Sequence, residues 1–405
     1  MGYFQTALRG IKWMAALRVS TRGLVVVKTA ILARILLPSQ FGIYGIATIV
    51  LGFLETLTET GINIFLIQKK ENVDDYVDSA WVVSVVRGML ISFAIFIFAP
   101  FIANFFNSPN SISILYLTSI VPLIRGFINP ACVKFQKSLQ FNKQFYYEAS
   151  LFFIDTLIAV LLAFLTRSEN SLVWGMIIAT SIEVILSFLI FSPKPKFLLN
   201  LAKVKEVVGK GKWITGASIF NYLFENVDDI FVGRLLGTQS LGFYQQAYKV
   251  ASIPASEVGE VFNKVTFPVY TAIGGDIKRV KTAFLKTLLV ITTFVALFGL
   301  FVFYYPVQII MIILGQNWLS AVPILQILAI YGVIKAISNS FFSLFLGIEK
   351  QKIVTLTTFI RALVLGIVIY PLITIFGILG AGYAAIIAAL SSLPILTYFT
   401  WKYLR

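Results

Sequence analysis

ARILLPSQFGIYGIA at 33–47 and GRLLGTQSLGFYQQA at 233–247 align without a gap at an offset of 200 residues. Arg34/Arg234, Leu36/Leu236, Gly42/Gly242, Tyr44/Tyr244 and Ala47/Ala247 are identical, and the same offset pairs Lys12-Trp13 with Lys212-Trp213. Five identities in fifteen carry little weight between apolar segments. Here polar identities recur at the same expected depth, which points to a duplicated chain.

The residues around the two copies say what is duplicated. Of 405 residues, 58% are hydrophobic and 13% charged, about half the ~25% charge of a soluble domain. So few charges cannot coat a water-soluble fold, and 37 Phe with 17 Tyr exclude intrinsic disorder. The absence of histidine and a single cysteine, Cys132, exclude a disulfide framework, a His/Cys metal site and catalysis by a histidine base. The net charge of +15 reads as cytoplasmic loop charge rather than a nucleic-acid footprint.

A helix crossing ~30 Å of hydrocarbon needs ~20 mostly apolar residues. Twelve such runs are expected, at 13–36, 41–66, 79–104, 112–133, 146–166, 171–192, 213–237, 241–268, 282–304, 319–346, 353–376 and 379–401. They lack the alternation of barrel strands. The first is too long for a cleaved signal peptide and carries Arg18, Arg22 and Lys28. Six spans separate the repeats, so the copies run in parallel, related by an axis along the membrane normal. The expected fold class is an all-α integral membrane protein with about twelve transmembrane helices. They form two pseudo-symmetric six-helix lobes around a central cavity: 1–192, then a cytoplasmic amphipathic connector at 193–212, then 213–405. Two such lobes suit alternating access around a mid-membrane site.

Basic residues orient the chain. Loops on the side of the termini hold Lys69, Lys70, Lys134, Lys137, Lys143, the connector lysines, Lys278, Arg279, Lys350 and Lys352, whereas the opposite loops hold only Arg167. The positive-inside rule then places both termini in the cytoplasm. Trp13, Trp81, Trp213 and Trp401 are expected at inner ends and Trp174 and Trp318 at outer ends, as an interfacial belt.

Charges within spans are costly and usually face a cavity or a partner. Arg18 and Arg22 share one face of the first span without an acid four residues away, and Lys28 lies further out. Paired guanidinium groups suit phosphate, since each binds two oxygens at once. Arg125 and Lys249 complete the candidate cavity cations; Arg87 and Arg361 are expected to snorkel to the surface. The candidate gating or coupling acids are Glu55, Glu59, Glu225, Asp228 and Asp229. The repeat offset puts Lys28 and Asp228 at one depth, which suggests an ion pair between lobes; the competing reading pairs Lys28 with an acid of its own lobe, such as Glu55. No G-x-x-x-x-G-K-[ST] loop and no activated nucleophile is found. Asp228-Asp229 resembles a metal-binding acid pair only superficially, because adjacent helical residues diverge by ~100°.

NVDDIFVGRLLGTQSLGFYQQAYKVASIP at 226–254 resembles the N-x-D-x-x-x-[IV]-G-[RK]-x-[LF]-G-x-x-x-[LV]-G-x-Y signature of bacterial polysaccharide flippases, which serve O-antigen, capsule and exopolysaccharide synthesis within the multidrug/oligosaccharidyl-lipid/polysaccharide exporter superfamily. The block from Ala33 to Gly42, Phe267-Pro268, the Gly315-x-x-Trp318 turn and Gly377-x-x-Gly380-Ala381 agree with it. The resemblance implies a cavity lined by spans 1, 2, 7 and 8. It implies an undecaprenyl-diphosphate-linked oligosaccharide substrate turned from the inner to the outer leaflet of the bacterial cytoplasmic membrane, with no covalent change and hence no enzyme activity. No cofactor is implied, only a coupling ion, H+ or Na+, or removal of product as the energy source. Partners would be membrane lipids, a polysaccharide polymerase and a chain-length regulator, and no nucleic acid. A multidrug cation antiporter of the same superfamily is the alternative, but it would want an acidic cavity where the first span is basic. A polysaccharide polymerase or ligase would need a large outer loop.

Overall fold

The structure is a computed structural model that describes residues 3–59, 61–68, 73–198, 200–273 and 276–405. Helices follow one another throughout: α1 (Tyr3–Ile35), α2 (Pro38–Leu57), α3 (Ile62–Gln68), α4 (Asp74–Phe105), α5 (Ser111–Arg125), α6 (Lys134–Lys137), α7 (Phe141–Thr166), α8 (Asn170–Ile190), α9 (Leu201–Ala272), α10 (Ile277–Tyr304), α11 (Pro306–Ile313), α12 (Val322–Gly347), α13 (Gln351–Phe376) and α14 (Ile378–Tyr403). No strand occurs among the described residues. Among the described residues, eight helices are long and apolar enough to cross a membrane, or nine if a bent pair counts as one span. Helix α1, whose Arg18, Arg22, Lys28 and Arg34 dilute its apolar character, and helix α9 are long enough but less apolar. Phe93, Ile97 and Phe101 of α4 and Phe359, Leu363 and Ile367 of α13 are exposed, as lipid-facing residues should be. Lipid leaves no water to solvate an open backbone, and helices satisfy theirs internally.

Interruptions fall where the chain cannot stay helical. Pro38 lacks an N–H and opens α2, while Leu37 before it is extended at φ −79°, ψ 155°. The Leu37 N–H donates to Gln40 Oε1 at 2.8 Å. At the repeat-equivalent position, Gly237 breaks α9 with φ +82° and ψ 179°, a backbone that only glycine adopts readily. Thus α9 is two limbs, 201–236 and 238–272, and the break recurs at the offset of 200 seen in the sequence.

Two expected spans are corrected. The run at 41–66 is not one helix: α2 stops at Leu57, and Gly61 at φ +63° turns the chain into α3. The run at 112–133 ends at Arg125 and bends by 71° into the short helices of Pro130–Lys137. There Pro130 cannot donate to a continuing helix, and Asn129 Oδ1 instead accepts from the Ala131 N–H at 2.9 Å.

The chain divides into two compact units, Met1–Asn226 and Val227–Arg405. In the first, two sets of turns are tied at opposite ends. At one end Gln40 Nε2 donates to Arg167 O at 2.9 Å and Glu169 Oε2 at 3.0 Å, joining the α1–α2 turn to the α7–α8 turn. At the other, the first turns of α4 hold α6 and the segment entering α9. Lys134 pairs with Asp74 at 2.5 Å, the Lys196 N–H donates to Asp78 Oδ1 at 2.8 Å, and Lys203 Nζ donates to Asp75 O at 2.5 Å. The basic residues from 201 to 212 form the opening turns of α9 rather than a separate helix. Lys69 and Lys70 lie outside the described residues, as do the side chains of Trp213 and of Lys205, Lys210 and Lys212. In the second unit α10, α12, α13 and α14 enclose a core of Phe284, Phe341, Leu344 and Phe345.

The tryptophan belt is also corrected. Trp81 is buried and donates its Nε1–H to Phe127 O at 3.0 Å, and Trp318 is buried against Phe243. Only Trp174 and Trp401 are exposed among the described tryptophan side chains.

Within the first unit, α4 and α5 meet backbone to backbone. A Cβ on Gly88 would lie 2.4 Å from Pro122 O, and one on Gly126 would lie 2.9 Å from Ser84 O. Small residues at such crossings let helices gain dispersion contact that lipid does not otherwise drive. Replacing Gly88 with Val should cost at least about 2 kcal/mol by overpacking. The expected result is a lower aggregation temperature of the detergent-extracted protein, with Ile97→Ala on the exposed face of the same helix unchanged.

Candidate functional site

Helix α1 carries cations along a segment of membrane length. Arg18 is half-buried and Arg22, one turn on, is exposed. Lys28 donates from Nζ to Asp155 Oδ2 of α7 at 2.6 Å, with 13% of the lysine side chain and 20% of the aspartate side chain exposed. The other carboxylate oxygen, Oδ1, is buried without a hydrogen-bond partner. Gly175 of α8 gives it room, since a Cβ there would lie 2.9 Å from Oδ1. Lys28 therefore finds its acid within its own unit, and that acid is Asp155 rather than Glu55.

Two arginines converge on the C-terminal turn of α2. Arg87 donates from Nη2 to Glu55 O at 2.6 Å and from Nε to Thr58 Oγ1 at 3.0 Å. Arg125, the last residue of α5, reaches Glu55 Oε1 at 2.5 Å. The last carbonyls of a helix lack intrahelical donors and form the negative end of its dipole, so cations are favoured there. Arg87 therefore caps α2 instead of snorkelling. Glu59, just beyond, is half-buried. With 42% of Arg125 and 29% of Glu55 exposed, an anion can compete with Glu55 for the guanidinium.

In the second unit the acids clasp the two limbs of α9. Tyr244 donates its hydroxyl to Asp228 Oδ2 at 2.6 Å, and Gln245 Nε2 donates to Asp229 Oδ2 at 3.2 Å. Both bridges join residues sixteen apart across the break at Gly237. Nearby, Lys335 of α12 donates to the Tyr248 hydroxyl at 2.9 Å and lies over the Tyr248 and Tyr331 rings. Lys249 is exposed, as is Glu225 in the first unit. Arg361 is 4% exposed, so it is a core residue of α13 and not a snorkelling one.

The structure thus joins Arg125 to Glu55, and gives Lys28, Asp228 and Asp229 partners that were absent from the candidate set. Asp155, Tyr244 and Gln245 are those missing partners. Tyr244 had a signal, being one of the five repeat identities; Asp155 stood out as an acid within a span, but 127 residues separate it from Lys28 and nothing in the sequence paired them.

Comparisons with known proteins agree with this architecture. Residues 31–323 match the family described as polysaccharide biosynthesis protein. The chain is 27% identical over 358 residues to the lipopolysaccharide biosynthesis protein WzxC of Escherichia coli (strain K12), covering 87% of this chain and 72% of that protein. It is 25% identical over 361 residues to the succinoglycan biosynthesis transport protein ExoT of Rhizobium meliloti (strain 1021), covering 88% and 72%. Its fold is similar to that of the lipid II flippase MurJ in an inward closed conformation, with a TM-score of 0.76 over 96% of this chain and 87% of that one. The 14% identity between those two makes this a likeness of fold.

Removing one partner of a buried ion pair strands the other. Lys28→Met or Asp155→Asn alone should each cost about 3 kcal/mol, read as lower thermal stability of the purified protein. The Lys28→Met/Asp155→Leu double variant should recover most of it. A double variant no more stable than the worse single variant would show that the pair does not act as one.

Proposed function

The chain belongs to the polysaccharide biosynthesis protein family, and on that premise we propose that it is a flippase for undecaprenyl-diphosphate-linked oligosaccharide repeat units. It turns them from the inner to the outer leaflet of the bacterial cytoplasmic membrane by alternating access. It is a multi-pass membrane transporter and makes no covalent change in its substrate. Relatives named for lipopolysaccharide and succinoglycan biosynthesis support a polysaccharide precursor as the cargo.

The observation that carries the reading is the spacing of Arg18 and Arg22 one turn apart on a membrane-length helix. A diphosphate bears about two charges and does not cross ~30 Å of hydrocarbon unaided. Guanidinium groups replace its hydration with bidentate hydrogen bonds while the lipid tail stays in the bilayer. Arg125 and Lys249 extend this basic track, and Lys28 joins it when released from Asp155. Energy comes from an H+ or Na+ gradient or from product removal. Asp228, Asp229, Glu225, Glu55 and Glu59 are the acids through which an ion would couple. A polysaccharide polymerase and a chain-length regulator consume the product at the outer face. Both termini lie in the cytoplasm, in keeping with the basic loops on their side.

In a host lacking its own flippase, the wild-type chain should restore surface polysaccharide. The Arg18→Ala/Arg22→Ala double variant should lower export at least tenfold at unchanged membrane level, with Lys at both positions recovering part. Full export by the double Ala variant would remove both residues from the substrate path.

Orientation has its own test. In a Cys132→Ala background, an impermeant maleimide added to intact spheroplasts should label Glu169→Cys and leave Lys203→Cys unlabelled until the membrane is opened. The reverse pattern would invert the direction of transport.

A further inference from the structure

Among the described side chains, Tyr222 joins the first limb of α9 to α2. Tyr222 donates its hydroxyl to Ile49 O at 2.7 Å. Its tip lies over Gly52, where a Cβ would come within 2.7 Å of the hydroxyl, so glycine provides the notch that receives it. The Phe53 ring flanks the seat at 6.2 Å between centroids.

The seat is shallow. Tyr222 is half-buried, and Asn221 and Leu223 on either side of it are exposed. Ile49 lies inside α2, so its carbonyl already accepts the helical N–H of residue 53, and the phenol takes the second lone pair. Withdrawing Tyr222 therefore strands no buried backbone group, which is the usual large cost of breaking a hydrogen bond. That hydrogen bond is specific in shape and inexpensive to undo.

Its place in the chain gives it leverage. The limb runs as one helix from 201 to 236, and the division between the two compact units falls within it, between Asn226 and Val227. Tyr222 sits barely one turn before that division. Any displacement of Val227 and the residues after it is transmitted along the helix to Tyr222. Counting back from Gly237, Tyr222 lies about 22 Å along the helix from that break.

We propose that Tyr222 in the Gly52 notch is a releasable latch, closed in the state described and open in the opposite-facing state of the transport cycle. The proposal rests on the alternating-access reading above. It makes Gly52 and Tyr222 positioning residues that set the balance between two states, not substrate ligands.

Nitroxide labels at Leu57→Cys and Leu223→Cys, both exposed, flank the seat in a Cys132→Ala background. In membranes without substrate the distance distribution should have two components, and Tyr222→Ala should raise the longer one at least threefold. One narrow distance in both proteins would overturn the latch whether or not the chain flips lipid. In parallel, a Gly52→Cys/Tyr222→Cys pair is bridged with propanediyl bis-methanethiosulfonate, a cleavable reagent of about the reach of a tyrosine side chain. Export should fall at least tenfold on bridging and return with dithiothreitol, while a monofunctional methanethiosulfonate leaves it unchanged. Failure to bridge, or unchanged export once bridged, would make the contact a fixed seat and refute the latch. If instead the wild-type chain exports nothing, the flippase reading fails while the label distances still decide the latch.

Discussion

Hydrocarbon does not solvate charge, and every ionic group on a membrane-length helix of this chain has to answer to that fact. Lys28 meets Asp155, Arg125 meets Glu55, Arg87 meets the C-terminal carbonyls of α2, and Asp228 meets a tyrosine hydroxyl. These are the contacts that fix which helices lie side by side where apolar packing alone discriminates little. Leucine against leucine and leucine against lipid are nearly equivalent. An ammonium against a carboxylate has no equivalent in lipid, so it sets the register of α1 on α7. The exposed phenylalanines of α4 show the complementary case, in which the surrounding solvent accepts an apolar face as it stands.

The two repeats keep a common frame and differ in what they hang on it. Leu37 and Gly237 break their helices at matching positions, one by the extended residue before a proline and the other by a positive φ. The matched rungs then diverge. Tyr244 turns its hydroxyl to Asp228, whereas Tyr44 faces Met176 Sδ at 3.5 Å and Lys28, in the place of Asp228, reaches across to α7. Duplication thus left one rung internally satisfied and the other dependent on a neighbouring helix. The unit with the dependent rung also holds Arg18, Arg22 and Arg125, whereas Lys249 belongs to the other.

How much of this could be read in advance follows from where each constraint acts. A span is a one-dimensional property, because its length is set by bilayer thickness and its composition by lipid; α4, α7, α8, α10, α13 and α14 therefore begin and end within a few residues of the expected runs. The interruptions at Gly61 and Asn129-Pro130 were written in the sequence as turn residues but were masked by the apolar residues around them. Side-chain partners are a three-dimensional property. Nothing near Lys28 names Asp155, and nothing in the spacing of Asp228-Asp229 names Tyr244 and Gln245 until the break at Gly237 folds one limb against the other. The cations were legible as an anomaly, and their pairing was not.

The clasp across Gly237 also bears on how the chain enters the membrane during synthesis. The limb 201–236 has the length of a span without the apolarity of the eight clearest ones. It carries Asp228 and Asp229, and a side-chain donor to each lies sixteen residues further along the nascent chain. At the moment the first limb leaves the ribosome, neither Tyr244 nor Gln245 is yet available. The limb is therefore a poor substrate for insertion on its own and a good one as half of a closed hairpin. A glycine that turns the chain back without a long loop makes the waiting time short. On this account Gly237 serves biogenesis as much as the finished fold, by letting two reluctant segments partition into lipid as one body.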